Sequence, residues 1–165
     1  MTGAHQPEAP SPRPGAASAG RLSYAVFALA RAHRAYAARL LRGVGLHPGQ
    51  EHLLMQLLDR DGQTQSELLE AVGLDHSTVS KSLKRMEHAG LLTRAPAEHN
   101  RRVMRVSLTE KGRAMREPLE SMWAALERRS VRDLDPDAVE EFVRAAEAIE
   151  RSIVDPASSS PLPRG

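Results

Sequence analysis

The sequence predicts a mainly α-helical chain with a small β-wing: a winged helix-turn-helix set between N-terminal and C-terminal dimerisation helices. Three observations carry that prediction. Two short amphipathic helix patterns stand in tandem, TQSELLEAVGL and DHSTVSKSLKRMEHAGLL. Two strand-like runs joined by turn residues follow at once, and longer helical patterns occupy both ends of the 165-residue chain. One domain is expected, with a folded body over 21–154, the winged unit over 46–109, and flanking helices over 21–45 and 110–154.

Residues 1–20 are rich in Pro, Ala, Gly and Ser and carry nothing to bury, so they read as a disordered tail, as do 155–165. Leu22, Val26, Leu29, His33, Tyr36 and Leu40 recur at steps of three and four, which predicts a first helix ended by Gly43 and Gly45. Pro48 is expected at the first position of the next helix, where its missing N–H does no harm. Leu53, Leu54, Leu57 and Leu58 give that helix its buried face, and Asp59-Arg60-Asp61-Gly62 stops it.

Thr64-Gln65-Ser66-Glu67 has the spacing of a capping box, and Gly73 offers the left-handed turn that closes the short helix. Asp75 caps the next helix and Gly90 ends it. In that second helix Val79, Leu83 and Met86 share one stripe, to pack on Leu68, Leu69 and Val72. Ser77, Lys81, Lys84, Arg85 and His88 lie on the other face, with Thr78 at its edge.

After Gly90, Leu91 to Arg94 enter a strand, Ala95 to Asn100 supply turn chemistry, and Val103 to Leu108 return as a half-buried strand. This two-stranded hairpin puts Arg101 and Arg102 at or just past its tip. Thr109 then caps a long helix running to about Arg132, and Pro118 predicts a kink near Ala114 to Pro118. Leu119, Met122, Trp123 and Leu126 line one side beyond the kink. Asp135-Pro136 opens a last helix with Val139, Phe142, Val143, Ala146, Ile149 and Ile153 as its apolar set.

A hydroxylic and cationic helix face beside an arginine-tipped ribbon suits double-stranded DNA. Hydroxyls near the helix start reach base edges in the major groove, and cations one turn later meet phosphates or guanine. An arginine pair on a protruding ribbon has the size and charge for a narrow minor groove. The plainer reading of Lys81, Lys84 and Arg85 is a solvated face; the wing and the distribution of charge argue against it. Residues 75–116 hold ten lysines and arginines to four acids, whereas 117–165 hold six to eleven. The positive charge therefore lies where helix and wing would meet phosphates.

The pattern DHSTVSKSLKRMEHAGLL, followed by a wing ending NRRVMRVSLTEKG, resembles the MarR family of bacterial regulators, with its D-x-R wing tip, strand and L-T-x-x-G. The resemblance spans about residues 22 to 153. It implies a sequence-specific DNA-binding transcriptional regulator, a repressor, acting as a homodimer on a palindromic operator. In the family the wing acid buttresses the second arginine, here Arg102. This sequence has Asn100 in its place, an amide that accepts a hydrogen bond but makes no ion pair. The resemblance also implies a small-molecule effector, often an aromatic acid or phenol, for which His33, Tyr36 and Trp123 are the candidate residues.

The DNA-contacting set expected from these readings is Ser77, Thr78 and Lys81 in the major groove, Lys84 and Arg85 on phosphates, and Arg101 and Arg102 in the minor groove. Thr64 and Ser66 join them as a phosphate contact at the start of the preceding helix. Independently of the family, the end helices lack partners within the winged unit, and a two-fold dimer would cover their stripes.

No cysteine is present, which excludes disulfides and thiol-based sensing, including the cysteine-dependent peroxide sensing that the resemblance would otherwise admit. The seven histidines form no metal motif, Glu51-His52 with His47 being the nearest approach, and no nucleophile elbow or phosphate loop appears. Neither an enzyme, a metal site nor a cofactor is expected. No apolar run approaches membrane-spanning length and the N-terminus lacks a signal-peptide core, so no membrane partner and a cytoplasmic location are expected. The alternatives are a metal- or metabolite-responsive helical binding protein, or a winged-helix protein-interaction module.

Overall fold

The computed structural model describes residues 14–155, so most of the tails expected over 1–20 and 155–165, namely 1–13 and 156–165, lies outside the described residues. The elements run α1 (Arg21–Gly43), α2 (Gln50–Asp59), β1 (Gln63–Thr64), α3 (Gln65–Val72), α4 (His76–His88), β2 (Leu92–Ala97), β3 (Asn100–Leu108), α5 (Glu110–Arg113), α6 (Arg116–Ser130) and α7 (Pro136–Val154). The chain divides into two compact units, one up to Leu119 and one from Glu120 onward. The fold is mainly α with a small antiparallel sheet, as the sequence predicts.

In the first unit the core is aliphatic. Leu41, Leu46, Leu53, Leu54, Leu57, Leu68, Val79, Leu83, Met86, Leu92 and Val106 are fully buried. All three residues of the stripe expected on α4 are among them. Leu69, Val72 and Leu58 are only half-buried.

Several boundaries differ from expectation, each for a local reason. Gly15–Gly20, expected to be disordered, forms a 3-10 helix leading into α1; Pro14 sets the first turn, its carbonyl accepting from Ala17 N–H at 2.9 Å. Asp155, assigned to the tail, is the C-cap of α7, its N–H donating to the Arg151 carbonyl. Pro48 does not begin α2. It sits in a turn closed by Gln50 N–H donating to the His47 carbonyl at 3.0 Å, with Gly49 at φ 90. Proline second and a left-handed glycine third is the composition a type II turn requires, and α2 starts only after it. The Gln50 side chain closes the turn from the other direction, accepting from His47 N–H at 2.9 Å.

The sheet has three strands, not the two of a simple hairpin, in the order β1-β3-β2. Gln63 and Thr64 pair with Val106 and Arg105. Buried Gln63 also donates its side-chain amide to the Gln56 and Arg60 carbonyls, at 2.8 and 2.7 Å, satisfying the open end of α2. Asp61 ties the same corner to the far end of β3: one carboxylate oxygen accepts from the N–H groups of Gly62 and Leu108, and the other from Arg113.

The kink expected at Ala114 to Pro118 is a break between α5 and α6. Pro118 is then the third residue of α6, within the first turn, where an N–H has no intrahelical partner to lose. Leu119, Met122 and Leu126 are buried and Trp123 is half-buried. In α7 no residue is buried, and Phe142, Val143, Ile153 and Val154 are exposed. The start of α1 is likewise apolar and exposed at Leu22, Val26, Phe27 and Leu29. No helix among the described residues is long and apolar enough to cross a membrane, and no group of metal-binding side chains occurs among them.

Candidate nucleic-acid interface

The α3-α4 pair is fixed at its ends by side chains chosen for that purpose. At the start of α3 the Thr64 hydroxyl accepts from Glu67 N–H at 3.2 Å, while the Glu67 carboxylate accepts from Thr64 N–H at 2.7 Å. This is the capping box read from the sequence. The Thr64 backbone, followed by its side chain, and then Arg60 at 3.1 Å, hold the Glu67 carboxyl below its ordinary range. The Thr64 amide is thus already engaged, and Ser66 is exposed on the first turn. Gly73, at φ 62, ends α3.

Asp75 caps α4 and does more than cap it. Its Oδ1 accepts from Thr78 N–H at 3.0 Å and from the Ser77 hydroxyl at 2.7 Å, and its Oδ2 accepts from the Thr78 hydroxyl at 2.5 Å. The Thr78 hydroxyl and then the Ser77 hydroxyl are the main reasons its carboxyl titrates far below the usual carboxylate range. Ser77 is exposed and Thr78 half-buried, so both stay at the surface. Lys81, Lys84, Arg85 and His88 are exposed along the rest of that face.

The far end of α4 is held by the TEKG segment. Lys111 Nζ donates to the Ala89 carbonyl at 2.7 Å, the Thr109 hydroxyl donates to the Gly90 carbonyl at 2.6 Å, and Thr109 N–H donates to the Leu91 carbonyl at 3.1 Å. Gly112 follows because the chain passes so close that a Cβ there would fall 1.9 Å from the Leu91 carbonyl oxygen. The glycine of the L-T-x-x-G pattern is therefore a matter of space.

The wing is longer than its turn residues suggested. Ala95, Pro96 and Ala97, expected to break the strand, remain in β2, and only Glu98 and His99 turn. Pro96 is tolerated because β2 is an edge strand and the register shifts beside it, between Pro96 and Ala97. Arg101 and Arg102 follow Asn100 in the first residues of β3, just past the tip, both exposed. The Asn100 side-chain oxygen accepts from Arg102 N–H at 3.0 Å, so the amide braces the backbone of the second arginine.

One contact between helix and wing has no signature in the sequence. Arg94, on β2, donates from Nε and Nη2 to a single Glu87 oxygen on α4, at 3.0 and 2.5 Å. This pair, chiefly through the Arg94 hydrogen bonds, lowers the Glu87 pKa. The two residues join Lys81, Lys84, Arg85 and His88 around a cavity of about 730 Å³, in which Glu87 is the lone acid. An acid and a base seven residues apart across a helix end obey no periodicity, so only the fold reveals them.

His33, Tyr36 and Trp123 are all half-buried. Arg39 lies over the Tyr36 ring at 4.7 Å, a cation-π contact. The Trp123 Nε1–H is buried without a hydrogen-bond partner among the described residues.

Residues 44–103 match the MarR family model, a segment that includes α2, α3, α4 and most of the wing. The HTH-type transcriptional regulator YybA of Bacillus subtilis (strain 168) is 28% identical over 72 residues, 44% of this chain and 48% of that protein, so the chain spans about half the length of this curated relative. Among solved structures, the transcriptional repressor CouR bound to a 23-mer DNA duplex superposes with a TM-score of 0.75 at 24% identity, covering 86% of this chain and all of that one. BpsR of Bordetella bronchiseptica, whose DNA binding is regulated by 6-hydroxynicotinic acid, gives 0.72 at 20% identity, covering 81% and 95%. The helix-and-wing segment thus matches the MarR family model over residues 44–103, and the fold of the chain is similar to that of these solved structures.

Proposed function

We propose that the protein is a sequence-specific DNA-binding repressor that acts as a homodimer on a palindromic operator. In this reading Ser77, Thr78 and Lys81 enter the major groove, Lys84 and Arg85 meet phosphates, and Arg101 and Arg102 enter the minor groove from the wing. Ser66, exposed on the first turn of α3, and the Thr64 hydroxyl face a backbone phosphate. The observation that carries the reading is the exposed hydroxyl and cation face of α4, opposite a fully buried Val79-Leu83-Met86 stripe. Folding alone asks for the stripe and leaves the other face unexplained.

The exposed apolar residues support the dimer. Those on the start of α1 and along α7 are the faces a second copy would cover, and a two-fold axis presents two recognition helices to half-sites roughly one helical turn apart. A small-molecule effector that releases the DNA completes the proposal. Trp123, with its buried and unpaired indole N–H, offers such a molecule a donor, and His33 and Tyr36 remain the other candidates. Nuclease footprinting on the DNA flanking the protein's own gene tests the core of this reading. The expected result is a protected region with two-fold symmetry; a chain that protects no segment at moderate salt would sink it.

A further inference from the structure

We infer that Asp75 determines which bases Ser77 and Thr78 read, by consuming their hydroxyl protons and leaving only acceptors facing the groove; this rests on the DNA-binding reading above. A serine or threonine hydroxyl has one proton to give and two lone pairs to receive with. The carboxylate opposite these two hydroxyls is an acceptor only, so the direction of both hydrogen bonds is fixed: Ser77 donates to Oδ1 at 2.7 Å and Thr78 to Oδ2 at 2.5 Å. Two serines in other helices spend their protons on the preceding turn, Ser130 on the Leu126 carbonyl and Ser152 on the Ala148 carbonyl. On α4 the protons are spent on a side chain that itself sits at the surface.

The consequence follows from the chemistry of the major groove. Adenine N6 and cytosine N4 are its hydrogen-bond donors, while guanine O6 and N7, thymine O4 and adenine N7 accept. An unrestrained hydroxyl serves either class. Ser77 and Thr78, held by Asp75, have lone pairs to offer and no proton, and the carboxylate adds acceptor capacity of its own. The first turn of α4 therefore docks on the amine-bearing base of a pair and is opposed by the keto-bearing base beside it. Lys81, one turn on, is a donor and takes the opposite class.

Selection from a pool of randomised duplexes, with sequencing of the bound fraction, tests this on the full chain. Ser77→Ala and Thr78→Val identify the positions these hydroxyls read, as those where base preference collapses. At those positions, deleting the exocyclic amine of the adenine or cytosine in the pair (purine for adenine, 2-pyrimidinone for cytosine) should weaken wild-type binding on the order of fivefold or more, and deleting the keto oxygen of its pairing partner should not. Asp75→Asn keeps a good helix cap but replaces one acceptor with an amide donor. It should bring the cost of losing that amine to about twofold or less, with preferences elsewhere kept. Asp75→Ser, which also caps but offers a single oxygen, should do the same and stands in if Asp75→Asn fails to fold. Wild-type binding that is insensitive to loss of that amine, or that falls with loss of the partner's keto oxygen instead, overturns the inference. So does a uniform loss of affinity in the Asp75 variants with base preference intact, which is the result for a cap and nothing more. A wild-type pool with no enriched sequence overturns the DNA-binding reading along with it.

Discussion

Asn100 and Arg102 are joined by a 3.0 Å hydrogen bond from the arginine's backbone N–H to the asparagine's side-chain oxygen. The bond closes a local turn at the wing tip, so the position of Arg102 is set by an amide without help from a charge. Asn100→Ala should weaken DNA binding by about 0.5–1.5 kcal/mol, the range for one hydrogen bond. Asn100→Asp, which keeps the acceptor, should bind much more nearly as the wild type does. Because Asn100 is exposed, neither change should move the melting temperature. Equal affinities for Asn100→Ala and wild type in a fluorescence titration would mean that the turn does not organise the tip.

The two kinds of contact assigned to the interface separate by salt. Arg102→Ala should cost about 1–3 kcal/mol of affinity. Lys81→Ala should reduce the slope of log affinity against log salt by roughly one if the lysine meets only phosphate, and should leave the slope nearly unchanged while altering base preference if it meets a base. Titrations over a range of salt concentrations distinguish the two, and two variants indistinguishable from wild type would remove both assignments.

Gly112→Ala is the substitution expected to injure the fold most for its size. With the Leu91 carbonyl oxygen 1.9 Å from the new methyl, backbone must shift on one side or the other, and overpacking of this kind costs about 1–3 kcal/mol. Urea denaturation reads the loss directly. A variant as stable as wild type would show that the α5 segment gives way freely.

The capping box of α3 makes stability depend on acid. The Glu67 carboxyl titrates below its ordinary value because its charged form is hydrogen-bonded by Thr64 and paired with Arg60. Its contribution is therefore present above the ordinary glutamate pKa and is lost as pH falls through the lowered, folded-state value. The stability difference between wild type and Glu67→Ala should be largest at neutral pH and shrink on acidification. A difference that stays constant from pH 7 to pH 3 would rule out the carboxylate as its source.

Phe142 is 54% exposed on α7. Phe142→Glu should be tolerated by the single chain but place a carboxylate within the proposed dimer interface. Sedimentation velocity should then report a shift from dimer to monomer, whereas a variant still dimeric at low micromolar concentration would take Phe142 out of the interface.

What the sequence disclosed and what it hid divide by distance along the chain. Thr64 with Glu67, Asp75 with Thr78, and Gly73 act within four residues, and each was readable because caps and left-handed glycines are local devices. The faces of α4 were readable for the same reason, through periodicity. β1 was not: two residues carry no alternation, and Gln63 is a strand only because Val106 lies opposite. Arg94 and Glu87 are separated by a helix end and a turn, and no pattern links them. Pro96 misled in a specific way, since a proline counts as a break until the strand is known to lie at an edge. In the candidate site, the residue types were visible from the start, but which hydroxyl protons were already committed was a matter of coordinates.

The same Pro96 bears on how the protein behaves at high concentration. A sheet with an open flank is a template on which other chains can add. Here one flank, β1, is two residues long, and the other presents a residue with no N–H to offer. On the β2 side, the proline interrupts the row of backbone donors that an added chain would pair with.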